Sequence, residues 1–345
     1  MAIYFAIFLS FLIPIFLPFA IEKKLNVVLL TLCFLFLIIF VGLRSEVGGD
    51  WNTYLKIYNA SDAMDIISIL YSLQDPAFYS LVKLSNFLGL GIYGVNLAVS
   101  SIFFLGLSAL MKKSNFKLLF LVIAIPYLIF VVSMGYVRQA AALGVLMHLY
   151  AYINSQHPKT IYMLGMILVA FLFHKSAILL LPLILIINFQ FSFIRTLILI
   201  PIIAITGIII SYQLFLDYYH YATGLVQSNG AFIRQLMMLV PCLIFLRYRK
   251  IFSLYYDYRF LKFIVIIVIS VFPLVFFAST AVDRALLYFY PIQMIILCRL
   301  PEFIIDQTMK ALYVIGVCLA YFLALYVWMN FSDHAYLWLP YKFII

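Results

Sequence analysis

The chain alternates long apolar runs with short polar connections. A helix that spans a membrane needs about 20 mainly apolar residues, and runs close to that length recur along the whole chain. Hydropathy predicts spans near residues 3–21, 25–43, 91–111, 116–133, 136–153, 160–174, 176–190, 195–212, 231–247, 261–279, 284–300 and 310–330. The pattern predicts an all-α, polytopic transmembrane protein of about twelve spans, with a single membrane domain over residues 1–345.

Composition excludes a soluble enzyme. The chain is 67% apolar and 10% charged, whereas a soluble domain is about 45–50% apolar and about 25% charged. So few charges cannot cover a surface that faces water. The net charge of +10 comes from basic residues scattered over short connections, so we expect no nucleic-acid partner.

No metal or cofactor is expected from the sequence. The cysteines lie inside apolar runs, without a CxxC spacing or a neighbouring histidine, and no glycine-rich phosphate loop is present. Such cysteines are typical packing residues. They are Cys33, Cys242, Cys298 and Cys318.

Charge distribution predicts the orientation in the membrane. Most of the 22 Lys and Arg residues fall in alternate connections, while acidic residues favour the other set. Because basic connections stay in the cytoplasm, we expect both termini outside. For the later basic connections to stay on the cytoplasmic side, residues 160–190 must cross the membrane twice. Each crossing is then short, so we expect His174 and Lys175 to form a tip recessed below the outer surface.

Two long outer segments are expected, at residues 44–90 and 213–230, and we expect the first to contain short interfacial helices. The cytoplasmic connections are short and basic. This asymmetry predicts that the function lies on the outer face.

Four arginines mark the outer ends of four predicted spans: Arg44, Arg138, Arg234 and Arg284. The guanidinium fork suits phosphate oxygens, and ionisable groups at membrane depth usually face a cavity or a partner. We expect a recess that binds a polyanionic group such as a lipid diphosphate. The alternative is that these arginines are interfacial anchors.

Three residues at this level are candidates for a general base. His174 has a near-neutral intrinsic pKa, and Asp50 and Asp283 are the carboxylate alternatives. His174 also suits a hydrogen-bonded tip residue or a phosphate donor, and Asp283 suits pairing with an arginine. The aromatic residues are mostly typical of a membrane-interface belt, although Trp51 and Tyr54 are suited to stacking on sugar rings.

Several motifs in order along the chain resemble the EpsG/Wzy-type bacterial polysaccharide polymerases. The first is GLRSEVGGDWNTYLKIY, which contains Gly42, Arg44, Gly48, Asp50, Trp51 and Tyr54. It is followed by MGYVRQAAA, FLFHKSAILLLP, DRALLYFYP and a WLPYK-like tail. The resemblance covers nearly the whole chain.

The resemblance implies a GT-C-like glycosyltransferase at the periplasmic face of the bacterial inner membrane. It would join undecaprenyl-diphosphate-linked repeat units into O-antigen or a related surface polysaccharide, without metal or nucleotide sugar. The four arginines would hold diphosphate, and His174 or Asp50 would take the acceptor proton. Predicted substrate-binding residues are Gln139, Trp51, Tyr54, Tyr290 and Tyr341. Expected partners are lipid-linked glycans, membrane lipids and a chain-length-determining co-polymerase.

Other classes stay open at this point. An O-antigen ligase also attacks a lipid diphosphate from outside, but it usually has one much longer outer loop. A polysaccharide or anion transporter or flippase would line a path with arginines, but the chain lacks repeated halves. A membrane-bound O-acyltransferase fits the composition but not the sequence around the histidines.

Overall fold

The computed structural model describes residues 1–16, 23–61, 75–188 and 230–344, and these ranges are mainly helical. The helices are α1 (Ala2–Leu12), α2 (Lys23–Gly42), α3 (Trp51–Ala60), α4 (Pro76–Phe87), α5 (Gly91–Met111), α6 (Lys117–Ala124), α7 (Val137–Ile153), α8 (Thr160–Phe173), α9 (Leu181–Asn188), α10 (Ala231–Arg247), α11 (Arg249–Phe252), α12 (Tyr258–Val271), α13 (Ser279–Leu286), α14 (Pro291–Arg299) and α15 (Gln307–Phe331). Short 3₁₀ turns lie at Ile13–Phe16, Lys175–Leu180, Phe272–Phe276, Leu287–Phe289, Leu300–Glu302 and Ala335–Trp338.

The predicted spans coincide with helices wherever the chain is described. Among the described residues, four helical stretches are long and apolar enough to cross a membrane, and a bent pair makes a fifth if it crosses as one unit. The four are Gly91–Met111, Lys117–Gly135, Tyr258–Phe276 and Gln307–Phe331. This agrees with a polytopic helical membrane protein. The total of about twelve spans and the GT-C-like architecture stay predictions.

Some predicted spans are either undescribed or shorter than predicted. The predicted span 195–212 and the outer segment 213–230, apart from Gly230, lie outside the described residues. Other apolar helices are shorter than a full crossing, and they are Ala2–Phe16, Val27–Gly42, Thr160–Phe173 and Lys175–Ile187. The last two are separated at His174, whose backbone is extended (φ −156°, ψ 121°), so the helix break predicted there is present.

The predicted span 284–300 coincides with two helical parts that are bent relative to each other. The chain forms Ser279–Phe289 and Pro291–Glu302, which bend by 54° relative to each other. Pro291 begins the second part, and a proline has no N–H to donate to the preceding turn. The bend turns α13 away from the axis of α14.

The centre of the bundle is the stretch Lys117–Gly135, of which 89% of the apolar window is buried. Its middle is a π-helix, Ile125–Val132, with Pro126 near the start. Helices α5 and α7 pack closely where Gly106 meets Gly144, because a Cβ atom on Gly106 would overlap the Gly144 carbonyl oxygen. Small residues permit such close approach between membrane helices.

Two short helices, α3 and α4, occupy the described part of the first predicted outer segment, as expected there. Helix α3 buries Trp51 and Tyr54, and α4 buries Phe78 and Val82. They pack on each other and on α5. These two helices thus pack against the side of the bundle that α5 presents.

An ion pair joins α14 to the start of α12. Arg299 donates two hydrogen bonds to the carboxylate of Asp257, at 2.8 and 2.7 Å, and both side chains are buried. The guanidinium carbon lies 4.0 Å from the ring centre of Tyr255. With its partner and this ring, the buried charge of Arg299 is compensated.

Candidate active site

A buried carboxylate, Asp75, joins the start of α7 to the break between α8 and α9. Its Oδ2 accepts a hydrogen bond from Arg138 at 2.7 Å, and its Oδ1 accepts one from the backbone N–H of Lys175 at 3.1 Å. Asp75 is 2% exposed, and its backbone is left-handed, with φ 49°. Asp75 therefore fixes Arg138 beside the tip formed by His174 and Lys175.

His174 is held in one orientation by Ser176 and Tyr288. Its Nδ1 lies 2.5 Å from Ser176 Oγ and 3.2 Å from the Tyr288 hydroxyl. The Ser176 backbone N–H also donates to Nδ1, at 3.4 Å. Because a backbone N–H is only a donor, Nδ1 acts as an acceptor, and the proton of the neutral ring lies on Nε2.

Electrostatics keep this imidazole neutral. Burial lowers the pKa of His174 to about 3, and the positive charges of Arg138, Arg284 and Lys175 act in the same direction. Its Nε2 atom has no hydrogen-bond partner among the described residues. His174 therefore offers an N–H donor, which fits the predicted phosphate-donor alternative better than the base.

Asp50 is a half-buried carboxylate at the N-terminus of α3. It makes no side-chain hydrogen bond or ion pair to the parts of the chain that the structure describes. Burial raises the pKa of Asp50, and the positive charges of Arg284 and Arg138 oppose that rise. The phenol groups of Tyr54 and Tyr136 lie within electrostatic range of the same carboxylate.

Asp50, Arg138, His174 and Arg284 therefore form one group, which we name the Asp50 cluster. The two arginines act electrostatically on both Asp50 and His174. Four separate parts of the fold supply these residues, namely the start of α3, the start of α7, the break after α8, and α13. Arg284 is exposed and Arg138 is 31% exposed, so both are accessible to an anion.

Arg234 and Asp283 form a separate ion pair. Arg234 Nε donates to one carboxylate oxygen at 2.8 Å, and its NH2 donates to the other at 2.9 Å. The Asp283 side chain is 8% exposed, and the Arg234 guanidinium lies 5.5 Å from the ring centre of Tyr127. Both oxygens of Asp283 are occupied, so this geometry does not fit its predicted role as base.

Arg44 is placed within the protein rather than at a recess. It is 1% exposed, and its guanidinium donates to the carbonyl oxygens of Val47, Val41 and Met134, at 3.1, 2.5 and 2.6 Å. These bonds tie the residues after α2 to the end of the central helix. This position does not fit the predicted diphosphate-binding role, because no donor of Arg44 is directed to solvent.

One comparison with known proteins gives a match to this chain. The model of the EpsG family matches residues 27–343. The chain belongs to the EpsG family. No match was found among curated proteins or among solved structures. The EpsG family is one of Wzy-type polysaccharide polymerases, which indicates a glycosyltransferase-like polymerase that acts on lipid-linked glycans.

Two aromatic residues of the first EpsG motif are packed inside the protein. Trp51 is 9% exposed, and its ring centre lies 6.0 Å from that of Tyr93. Tyr54 is 5% exposed, and its hydroxyl accepts a hydrogen bond from the Arg138 backbone at 3.5 Å. Neither ring has a face open for the predicted stacking on sugar, and Tyr54 instead supports the start of α7.

Of the other predicted substrate contacts, two tyrosines are held by contacts within the protein and one glutamine is not. Tyr290 is buried, with its ring 4.5 Å from that of Tyr127. Tyr341 stacks on Phe40 at 4.3 Å and donates a hydrogen bond to the Phe40 carbonyl oxygen at 2.6 Å. Gln139 is half-buried, next in sequence to Arg138, and makes no side-chain hydrogen bond in the described ranges. Of these three, Gln139 is the best placed to contact a ligand.

A small cavity lies beside Arg234, between Tyr127, Tyr290, Gln293 and Tyr321. It offers about 20 Å³ to the centre of a water molecule, which is room for about one water. The Tyr290 hydroxyl and the Gln293 Nε2 atom are buried and have no partner among the described residues.

Within the described ranges, no group of three or more His, Cys, Asp or Glu side chains is arranged to hold a metal ion. The four cysteines are free thiols, and Cys242, Cys298 and Cys318 are buried. Metal independence stays a prediction.

Sequence reasoning missed Asp75, and it also missed the support that Ser176 and Tyr288 give to His174. The dipeptide Asp75-Pro76 marks a helix start, since proline is favoured in the first turn. That signal marks a loop, but it does not show that Asp75 binds Arg138, which lies 63 residues away in sequence. Only the folded structure brings these groups together.

Proposed function

We propose that this EpsG-family chain polymerises undecaprenyl-diphosphate-linked repeat units into O-antigen or a related surface polysaccharide, with the Asp50 cluster as its active site. The observation that carries the proposal is the half-buried Asp50 carboxylate, which has no side-chain hydrogen bond in the described residues and lies within electrostatic range of Arg138 and Arg284. A base and two phosphate-binding cations suit glycosyl transfer from a lipid diphosphate, because the first takes the acceptor proton and the others stabilise the leaving group.

Each residue of the cluster then has one role. Asp50 accepts the proton of the acceptor sugar hydroxyl as that oxygen bonds to the anomeric carbon of the donor. The bond between this carbon and the diphosphate oxygen breaks, and the diphosphate leaves with the electron pair. Arg138 and Arg284 stabilise the departing charge, and the Nε2–H group of His174 donates a hydrogen bond to it.

Surrounding residues position these groups. Asp75 holds Arg138, and Ser176 and Tyr288 orient the His174 ring. Arg44 and the Arg234–Asp283 pair are structural in this proposal, because their polar groups are bound within the protein. No step is assigned to a metal ion, since the arginines supply the positive charge.

The proposed setting is the bacterial inner membrane, with the Asp50 cluster at the periplasmic face and both termini on that side. The support is the Lys and Arg distribution, because basic connections favour the cytoplasmic side. Membrane lipids surround the bundle. A co-polymerase that sets chain length is a further proposed partner, by analogy alone.

The test is complementation of a strain that lacks the gene, read on a gel of its surface polysaccharide. We expect Asp50→Asn to leave single repeat units without a ladder, whereas Glu46→Gln, an exposed carboxylate of the same loop, restores the full ladder. A full ladder from Asp50→Asn at normal membrane levels would overturn the assignment of the base. If deletion of the gene removes even the single units, the chain is a ligase instead.

A further inference from the structure

The C-terminal segment, residues 335–344, lies against the loop that carries Asp50, and we name it the C-terminal clamp. Three backbone hydrogen bonds join the two. Gly48 donates to Leu337 at 2.9 Å, Ser45 donates to Lys342 at 2.9 Å, and Ile344 donates to Leu43 at 3.0 Å. Backbone bonds at several points along both segments fix their relative position.

Trp338 anchors the clamp to the core. It is 3% exposed, and its Nε1 donates to the Phe130 carbonyl oxygen at 2.8 Å. The Tyr4 hydroxyl donates to the Trp338 carbonyl oxygen at 2.9 Å. The clamp is therefore attached to the central helix and to α1, not only to the loop.

The Trp338 ring also borders the residues next to Asp50. A Cβ atom added to Gly49 would lie 3.6 Å from this ring, and one added to Gly135 would lie 2.9 Å from it. Gly48 has φ 110°, and a Cβ atom there would collide with the Met134 carbonyl oxygen. Gly48 is thus enclosed by the end of the central helix and bonded to the clamp, and the exposed Gly49 borders the Trp338 ring.

We propose that the C-terminal clamp positions Asp50 for proton transfer, with Trp338 as its principal positioning residue. This inference rests on the proposed function, in which Asp50 is the base. The clamp contacts the loop on the N-terminal side of Asp50, and buried Trp51 holds the other side. A displacement of about 1 Å at a reacting group costs on the order of 100-fold in rate, so a fixed loop is a catalytic requirement.

The experiment measures polymerisation by full-length protein in membranes, with lipid-linked repeat units extracted from a strain that lacks the gene. Trp338→Ala removes the ring, and Trp338→Phe keeps an aromatic ring but loses the bond to Phe130. The control is Tyr336→Ala in the same segment, because Tyr336 is 67% exposed. We expect kcat to fall about 100-fold in Trp338→Ala, less in Trp338→Phe, and not in Tyr336→Ala, with KM unchanged.

The pH profile distinguishes positioning from a general loss of folded protein. A loosened loop exposes Asp50 to water, which removes the burial that raises its pKa. The acid limb of kcat should therefore move to lower pH in Trp338→Ala, whereas a smaller amount of intact enzyme leaves the limb in place. An unchanged limb together with unchanged kcat per folded molecule would overturn the role of the clamp.

Asp50→Asn separates this proposal from the proposed function. If Asp50→Asn abolishes activity while Trp338→Ala leaves kcat and the acid limb unchanged, Asp50 is the base and the clamp does not position it. If Asp50→Asn retains activity, the proposed base is wrong whatever Trp338→Ala does. Tyr341→Phe gives a second measure of the clamp, because it removes one hydrogen bond to Phe40 and keeps the stacked ring.

Discussion

At the residue scale, the four arginines of similar sequence context have different environments. Arg138 and Arg284 act on Asp50 and His174, whereas Arg44 is bound by carbonyl groups and Arg234 by a carboxylate. The sequence shows that each lies at the end of an apolar run. It does not show partners that are distant along the chain, such as Met134 for Arg44, which is 90 residues away.

Arg284 provides a test of the electrostatics around Asp50. Its positive charge lowers the pKa of this carboxylate, so Arg284→Ala should raise that pKa. A base must be ionised to act, so the acid limb of kcat should move to higher pH, which is opposite in sign to the effect of Trp338→Ala. The measurement is the pH–rate profile of membranes that contain equal amounts of each variant.

Lys56→Ala serves as the control for this experiment, because it removes an exposed positive charge from α3 and should leave the limb in place. The pH profile of Arg284→Ala also bears on the site itself. If its acid limb coincides with that of the unchanged protein, Asp50 is not the titrating base.

The Arg234–Asp283 pair leads to a different prediction. Removing one partner of a buried ion pair typically costs about 3–5 kcal/mol, because the other charge is left unpaired. Arg234→Met and Asp283→Leu should each lower the thermal stability of the detergent-solubilised protein. The double variant should recover most of the loss and retain polymerisation, since neither residue is catalytic in our proposal.

The measurement for this pair is the polysaccharide ladder that the double variant makes on a gel, compared with that of the unchanged protein. A stable double variant that makes no polymer would assign Arg234 or Asp283 to the reaction, as the sequence first predicted.

At the scale of elements, the helix positions were largely predictable from sequence and their shapes were not. The ends of α5 and α10 match the predicted spans 91–111 and 231–247, because apolar length alone sets them. The π-helix around Pro126 and the bend at Pro291 depend on local backbone bonding and on neighbouring helices. Hydropathy contains neither kind of information.

The close contact of α5 and α7 can be tested at its glycines. Gly106→Ala should destabilise the protein, because the new Cβ atom would overlap the Gly144 carbonyl oxygen in a tightly packed region. Gly316→Ala is the matched control, since nothing lies within 4 Å of a Cβ atom there. In α15 that change should be neutral or stabilise by up to about 1 kcal/mol.

Thermal unfolding in detergent, followed by loss of monodisperse protein, measures both glycine variants under one condition. Equal melting temperatures would show that α5 and α7 separate without cost.

At the scale of the whole molecule, the proposed reaction requires the Asp50 cluster and the basic connections to lie on opposite sides of the membrane. Lipid-linked repeat units are polymerised outside in our proposal, while basic connections remain inside. The fold is compatible with this arrangement, because Arg299 and Asp257 pair at the far end of α14 from the cluster-bearing α13. Orientation itself requires a membrane, so it needs a labelling experiment.

Single cysteines in a variant without the native four would report the orientation. Glu46 is exposed near the Asp50 cluster, and Lys112 is exposed at the opposite end of α5 from Gly91. In spheroplasts, a membrane-impermeant maleimide should label Glu46→Cys at once and Lys112→Cys only after lysis. The reverse pattern would place the Asp50 cluster in the cytoplasm, where a periplasmic polymerase cannot have its active site. That outcome would contradict the orientation and the proposed function together, even if every variant above behaved as expected.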